Sequence, residues 1–437
     1  MTGGEDPSEP EQFSYGKPAN RKPLAEVEAF GWDIVHLHSM CHDNDLLRTV
    51  ERIHSPARDQ ASAPPIVFNT VHLNYENQAF AMMDKVLTMG FLKISAAMKI
   101  GELPQKLQEE LDRIGDWIRT NIIEESQRNL LDFQAQIRLL SYTDNIIHLT
   151  EHGKQKAIQY MGKFFADHNS YVIGNGAHEP LAIFEVKQIS DTPTLLYSGR
   201  LATEKGMIEL CEAYRALSAK RAVKLIVHGD PPRPPDLPQV EYDELLNAPR
   251  ERYDADFFKA PKEKFPGSVW HEHTFPLLRD YPPESVEFYR FLGGDECDDG
   301  KGPGQRGETY MLDFLMHRAD VVIIPSYSET FCITALDALI RYRPVILSKI
   351  YALEELYGDV CLYAEPKNHF DLERAISHFL EMDQQSIRTR ATTGYQLATR
   401  YTWPRIADRT FRRYWAELPD IPEPRQDPPA ISAAPPE

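Results

Sequence analysis

The feature that most constrains the fold is a series of short apolar segments, rich in β-branched residues and bounded by polar or turn residues. Segments with helical periodicity lie between them. The later apolar segments are almost continuous, which is typical of parallel strands covered by helices on both faces. The pattern predicts an α/β protein with two Rossmann-like domains. The predicted strands lie within residues 32–38, 64–74, 145–150, 170–176, 193–200, 222–230, 286–293, 319–326 and 343–348.

The domain boundaries follow from changes in composition along the chain. Both ends are rich in proline and polar residues and too poor in apolar ones to pack, so we expect disordered tails there. A proline-rich, charged stretch interrupts the second strand series and is interpreted as an insertion in a loop. The predicted division is a tail at 1–24, a first domain at 25–178, a second domain at 190–400 with an insertion at 231–283, a helix at 401–418, and a tail at 419–437.

Charge and cysteine content exclude several classes of protein. The formal net charge is -18, which argues against binding to nucleic acid or to an anionic membrane surface. The five cysteines are odd in number and scattered, as expected for free thiols in a reducing compartment. No apolar run is long enough for a transmembrane helix, and the polar N-terminus does not resemble a secretory signal. We therefore expect a cytoplasmic protein.

The junction "SGRLATEKG" at 198–206 carries the first candidate site residues. Gly199 allows a tight turn, and Arg200 and Lys205 flank the predicted start of a helix. In doubly wound folds ligands bind where strands end and helices begin, and two cations there suit a phosphate group. The alternative is a solvated turn before an ordinary helix.

The junction "PSYSETFCITALDAL" at 325–339 carries two carboxylates within an otherwise apolar segment. Glu329 lies in the loop before a predicted helix, and Asp337 lies about two turns inside that helix. Each carboxylate can accept two hydrogen bonds from a vicinal diol, such as those of a sugar or a ribose. The alternative is that Glu329 caps the helix while Asp337 pairs with Arg341.

Four motifs together resemble a known family. They are Glu329 followed after seven residues by Asp337, the Gly-Arg-Leu and Lys-Gly element at 199–206, the Asn-Gly turn at 172–180, and the aromatic-rich segment at 401–415. This set resembles the retaining GT-B glycosyltransferases of the group 1 type, family 4. The resemblance implies two Rossmann-like domains that face a cleft, with a C-terminal helix crossing back to the first domain.

The resemblance also implies a role for each matching residue. Arg200 and Lys205 would hold the diphosphate of a nucleotide sugar, Glu329 would bind hydroxyls of the transferred sugar, and Asp337 would bind the ribose. His72 would lie beside the sugar, although a strand-end histidine bonded to backbone is the alternative. The implied catalytic residues are Glu329, Arg200, Lys205 and His72, and the implied donor-binding residues are Gly199, Phe331, Cys332 and Asp337.

The chain departs from the family pattern at four points. Asp337 replaces the usual Glu, Cys332 stands where Gly is usual, and His178 stands where Asp is usual. No strand followed by Gly-Gly precedes Trp32, although the family opens with a strand and a Gly-rich loop. The last departure concerns the side of the cleft at which an acceptor would bind.

The resemblance thus implies a metal-independent hexosyltransferase without a cofactor. It would move a hexose from a nucleotide diphosphate sugar, with UDP or GDP as the nucleotide, to a hydroxyl with retention. The acceptor would be a glycan or a small polyhydroxylated or cationic molecule, and nucleic acid would not be a partner. One alternative is a non-catalytic nucleotide-sugar-binding protein or partner subunit. Another is a GT-B phosphorylase or epimerase.

Overall fold

The structure is a computed structural model that describes residues 143, 145–161, 169–229, 270, 274–282, 284–289 and 305–417, and the backbone of four short strands before them. For residues 159–161, 169, 305–308 and 413–417 it describes only the backbone. Two of the early strands, β1 (Gln12–Phe13) and β2 (Lys22–Pro23), pair antiparallel. These four residues therefore differ from the disordered tail expected at 1–24; the rest of that segment lies outside the described residues.

The first sheet is parallel and contains four described strands in the order β3-β4-β5-β6. One helix, α1, connects β5 to β6. The helical region predicted between the second and third strands, and residue His72, lie outside the described residues. The bounds are β3 Val35–His38, β4 Ile66–Thr70, β5 Asn145–His148, α1 Glu151–Met161 and β6 Asn169–Val172.

The second sheet is parallel throughout and has the strand order β12-β11-β10-β7-β8-β9. Its strands are β7 Thr194–Ser198, β8 Lys224–His228, β9 Val286–Tyr289, β10 Val321–Ile324, β11 Val345–Ser348 and β12 Leu362–Ala364. Its helices are α2 Met207–Ser218, α3 Gln305–Arg318, α4 Ile333–Leu339, α5 Tyr351–Tyr357, α6 His369–Glu381 and α7 Gln384–Ala398.

The strand order of the second sheet is that of a Rossmann fold, in which the direction of winding reverses between β7 and β10. Alternate strand residues pack on opposite faces: Leu195 contributes to the cluster with α2 and α6, and Leu196 to the cluster with α3 and α4. This two-sided burial explains the near-continuous apolar strands in the sequence. The predicted α/β fold with two parallel sheets is confirmed.

The C-terminal helix α8 (Trp403–Glu417) returns to the first sheet, as the resemblance implies. Ile406 on this helix packs against Ile147 and Ile173. Thr402, which directly precedes the helix, forms a parallel bridge with Ala177. The helix therefore packs against the first sheet, and the residue before it pairs with the segment that follows β6.

The end of the predicted insertion at 231–283 belongs to the core of the second domain. Trp270 is fully buried, and its ring lies 5.8 Å from that of Phe288 on β9. Phe275 is also buried and contacts both rings. No helix within the described ranges is both long and apolar enough to cross a lipid bilayer.

Candidate functional site

A cleft of about 260 Å³ lies where β7 and β10 end, at the point where the winding of the second sheet reverses. Such a switch point is the usual ligand site of an open α/β sheet. Two residues of the first domain, Leu149 and Asn175, also line it. The other lining residues are Tyr197, Ser198, Gly199, Lys205, Ile324, Ser326, Glu329, Thr330, Phe331, Cys332, Ile333 and Thr334.

The loop after β7 is held by backbone contacts that leave little room for larger residues. The Gly199 amide donates to the His228 carbonyl at 3.0 Å, which ties the loop to the end of β8. Gly206 has a φ of 69°, and a Cβ there would lie 1.9 Å from the carbonyl oxygen of Pro325. A glycine at this position thus lets the β7 loop and the β10 loop approach closely.

Lys205 and Glu329 form the charged centre of the cleft. The Lys205 Nζ donates to Glu329 Oε1 at 2.6 Å, and the side chains are only 20% and 12% exposed. Ser326 Oγ donates to the same carboxylate oxygen at 2.8 Å. The ammonium group has three donors, so it can keep Glu329 and still bind a second anion. The pair therefore offers a cation and a hydroxyl acceptor side by side.

Arg200 lies in the same β7 loop as Lys205, but its guanidinium does not line the cleft. It donates to Glu204 at 3.0 Å and is 59% exposed. Such an exposed pair is worth at most about 1 kcal/mol, so Arg200 can turn towards a ligand at little cost. The Arg200 carbonyl accepts a hydrogen bond from the Tyr197 hydroxyl at 2.5 Å. Burial, followed by the charges of Glu329 and Glu204, raises the pKa of Tyr197, so this hydroxyl stays a donor.

Phe331 and Cys332 form the wall of the cleft beside Glu329. Cys332 has a φ of 61°, in the left-handed region that non-glycine residues rarely occupy. Burial is the first cause that raises its pKa well above the ordinary value, with Glu329 second. The Cys332 thiol is therefore protonated and not disposed to act as a nucleophile. Three described cysteines, Cys211, Cys332 and Cys361, are free and buried.

Asp337 lies apart from the lining of the cleft. It is 5% exposed, and its Oδ1 accepts a hydrogen bond from the His178 amide at 2.7 Å. The His178 ring contacts the other carboxylate oxygen at 3.1 Å. Arg341 Nη1 lies 4.0 Å from the Asp337 carboxylate and donates to the His178 carbonyl at 3.0 Å. Asp337 therefore anchors the segment between the two sheets, and its ribose-binding role remains a prediction.

A second depression, the basic groove, lies along the first domain beside the cleft and has a volume of about 600 Å³. Lys154 on α1 and Arg409 and Arg412 on α8 supply three cations, and Glu151 supplies one carboxylate. Arg412 Nε also donates to Asp408 at 2.9 Å. The groove is lined by Glu151, Lys154, Ser170, Tyr171, Val172, Ile173, Arg409 and Arg412.

The remaining sequence predictions concern metals and His72. Within the ranges that the structure describes, no group of three or more His, Cys, Asp or Glu side chains could hold a metal ion. His72 lies outside those ranges. The absence of a metal requirement therefore stays a prediction.

The structure adds cleft residues that sequence reasoning missed. The Tyr197 hydroxyl donates to the β7 loop, and the Ser326 hydroxyl donates to Glu329. Leu149 and Asn175 reach the cleft from the first domain. A polar residue at the end of each apolar strand was the available signal for Tyr197 and Ser326. Nothing local in the sequence marks Leu149, which follows an ordinary buried strand.

Part of the chain matches a known protein family. Residues 306–395 match the model of the family described as "Glycosyl transferases group 1". A lipopolysaccharide 1,2-N-acetylglucosaminetransferase of Salmonella typhimurium (strain LT2) is 25% identical over 228 residues, which cover 50% of this chain and 47% of that protein. The chain thus spans about half the length of this curated relative.

Two solved structures share the fold. The Anabaena Alr3699/HepE protein in complex with UDP-glucose has a TM-score of 0.53 at 16% identity, covering 91% of this chain and 82% of that one. A UDP-forming alpha,alpha-trehalose-phosphate synthase of Burkholderia xenovorans also has a TM-score of 0.53, at 12% identity, covering 91% and 77%. At these identities the likeness shows the fold alone.

The switch-point cleft, the two parallel sheets and the helix α8 that returns to the first sheet are the features of the GT-B fold. Residues 306–395, which match the glycosyl transferases group 1 model, contain both Glu329 and Asp337. Membership of family 4 in particular stays a prediction.

Proposed function

We propose that this protein is a retaining glycosyltransferase that moves a hexose from a nucleotide diphosphate sugar to a hydroxyl group. The observation that carries the proposal is the Lys205–Glu329 pair in the switch-point cleft. One member suits a diphosphate and the other suits sugar hydroxyls. The match of residues 306–395 to the group 1 family supports the same activity.

Lys205 would neutralise the diphosphate, and Arg200 would join it after leaving Glu204. Glu329, held by Ser326 as well as Lys205, would bind hydroxyls of the transferred sugar. The leaving phosphate can accept the proton of the incoming hydroxyl on the same face, so retention needs no protein nucleophile. Catalysis would then come from positioning and charge stabilisation. The protonated Cys332 thiol is consistent with this route.

UDP is the nucleotide we propose, with GDP as the alternative. Support comes from the two solved structures with the same fold, since one is a complex with UDP-glucose and the other is a UDP-forming enzyme. No cofactor or metal is included in the proposal, because Lys205, joined by Arg200 once it leaves Glu204, would supply two cations for the diphosphate. We propose that the activity is cytoplasmic, in line with the three described cysteines, which are free.

The acceptor would approach from the first domain, along the basic groove. The groove and the cleft share two chain segments, since Leu149 lines the cleft where Glu151 lines the groove, and Asn175 lines the cleft just beyond Ile173. The three cations outnumber Glu151 and the Asp408 carboxylate that pairs with Arg412, and this excess of positive charge favours an acceptor with phosphate or carboxylate groups. We propose this class ahead of the cationic acceptor suggested by the overall acidic charge, because the local charge is what a ligand meets.

The test is turnover of UDP-glucose, UDP-N-acetylglucosamine and GDP-mannose by the purified protein, with neutral and phosphorylated sugar acceptors. We expect nucleotide release that depends on the acceptor, and an α-linked product by NMR. The variant Lys205→Ala should lose activity, whereas Lys220→Ala, which breaks a surface pair with Glu373, should not. Binding without turnover would indicate a non-catalytic nucleotide-sugar protein, and an altered donor without transfer would indicate an epimerase. Sugar phosphate formed with inorganic phosphate would indicate a phosphorylase.

A further inference from the structure

Tyr357 is a buried tyrosine that contacts the cleft from behind. It is the last residue of α5, is 2% exposed, and does not line the cleft itself. Its hydroxyl donates to the carbonyl oxygen of Phe331 at 2.8 Å and to that of Cys332 at 2.9 Å. One O–H group thus serves two successive backbone carbonyls of the cleft wall.

These two carbonyls belong to the strained part of the wall. Cys332 has φ 61° and ψ 71°, the left-handed conformation that costs a residue with a Cβ free energy. Such a conformation persists only where the surrounding structure holds it. Burial raises the pKa of Tyr357 well above its ordinary value, followed by the nearby Cys332 and Cys361, so the phenol keeps its proton.

We propose that Tyr357 is a positioning residue for the donor site, because its hydroxyl holds the Phe331–Cys332 backbone in the left-handed turn. That turn determines the position of the cleft wall and of the loop that begins at Glu329, three residues earlier. The inference rests on the proposed function only for its effect on catalysis. Its structural part, the hold on the turn, can be measured without any substrate.

A purely structural role for Tyr357 as a ring in the core makes a different prediction. Tyr357 packs in the same apolar cluster as Phe331 and Leu353, and a phenylalanine would keep that packing. The hydroxyl is therefore the part that matters for positioning. A glycine at 332 adopts positive φ without cost, so it should need the hydroxyl far less.

The experiment compares four proteins: wild type, Tyr357→Phe, Cys332→Gly and the double variant. Tyr363→Phe is the matched control, because the Tyr363 hydroxyl donates to the Gly358 carbonyl at 2.9 Å outside the cleft. Titration with UDP and GDP gives nucleotide affinity, and initial rates give kcat and KM. Hydrogen–deuterium exchange of residues 329–335 reports the turn directly.

We expect Tyr357→Phe to lower kcat/KM about tenfold, the change that corresponds to roughly one lost hydrogen bond. Exchange at 329–335 should become faster, and Tyr363→Phe should change neither quantity. In the Cys332→Gly background the same Tyr357→Phe change should cost less than about threefold. An equal loss in both backgrounds, or exchange unchanged by Tyr357→Phe, would overturn the inference.

Failure of the proposed function gives a different pattern. If the wild type neither binds the nucleotides nor transfers sugar, the proposed function fails while the exchange data still decide the role of Tyr357. If the wild type is active and Tyr357→Phe equals it in rate, affinity and exchange, the positioning role fails while the proposed function stands.

Discussion

Replacing Asp337 with asparagine should destabilise the protein more than it weakens nucleotide binding. The carboxylate is 5% exposed and holds His178 through the amide at 2.7 Å and the ring at 3.1 Å. A hydrogen bond to a buried charged group is worth roughly 1.5–3 kcal/mol, and asparagine keeps one acceptor oxygen. Arg341 loses a carboxylate at 4.0 Å but keeps Asp313 at 2.6 Å. The expected net loss is about 2 kcal/mol.

A loss of about 2 kcal/mol should lower Tm by about 4–8 °C, on the scale found for domains of 150–250 residues. Differential scanning fluorimetry gives Tm, and calorimetric titration with UDP and GDP gives affinity. The matched control is Asp359→Asn, which makes the same chemical change at an exposed aspartate. An unchanged Tm together with a tenfold or larger loss of nucleotide affinity would refute this reasoning. It would support the ribose-binding role that the family resemblance implies.

Three other perturbations test separate parts of the structure. Gly206→Ala should lower stability by more than about 2 kcal/mol in urea unfolding, because the added Cβ would meet the Pro325 carbonyl. A loss of only about 1–2 kcal/mol, the cost of the left-handed backbone conformation alone, would contradict the clash. Burial alone would raise the pKa of Glu287, but hydrogen bonds from Arg318 and Tyr289 lower this pKa below its ordinary value. The stability that ionised Glu287 contributes is therefore present above about pH 4.5 and is lost as the pH falls through the lowered pKa. Glu287→Gln should therefore make Tm fall less steeply as the pH is lowered. If the fall in Tm is the same as in the wild type, the Glu287–Arg318 pair is not its source. Transfer activity should survive EDTA, and loss on chelation restored by Mg²⁺ or Mn²⁺ would instead reveal a metal site.

Much of the fold was predictable because burial on both faces leaves a direct signature in each strand. Every predicted strand is present, and the helix after 205 begins at Met207 behind a short turn at 203–205. The strand Leu362–Ala364 was missed. It has only three residues at the edge of the sheet and is just partly buried, so its apolar signal is short and weak.

The candidate site was predictable where the residues lie at strand ends on either side of the switch point. Lys205 and Glu329 are 124 positions apart in sequence, and the parallel order of β7 and β10 brings them together. Local sequence could not show that Asp337 faces His178, since this depends on how the linker packs across α4. Nor could it show that Tyr357 supports Cys332, because a tyrosine at a helix end has no distinguishing pattern.

The central claim is that the Lys205–Glu329 cleft binds a nucleoside diphosphate. The most direct measurement is a thermal-shift and calorimetric comparison of UDP, GDP, ADP and dTDP on the wild type, Lys205→Ala and Lys220→Ala. At a hundred times its Kd, the right nucleotide should stabilise the wild type by about 2.7 kcal/mol. Affinity should fall at least tenfold in Lys205→Ala and stay unchanged in Lys220→Ala. Equal binding by all three proteins, or no binding by the wild type, would contradict the claim.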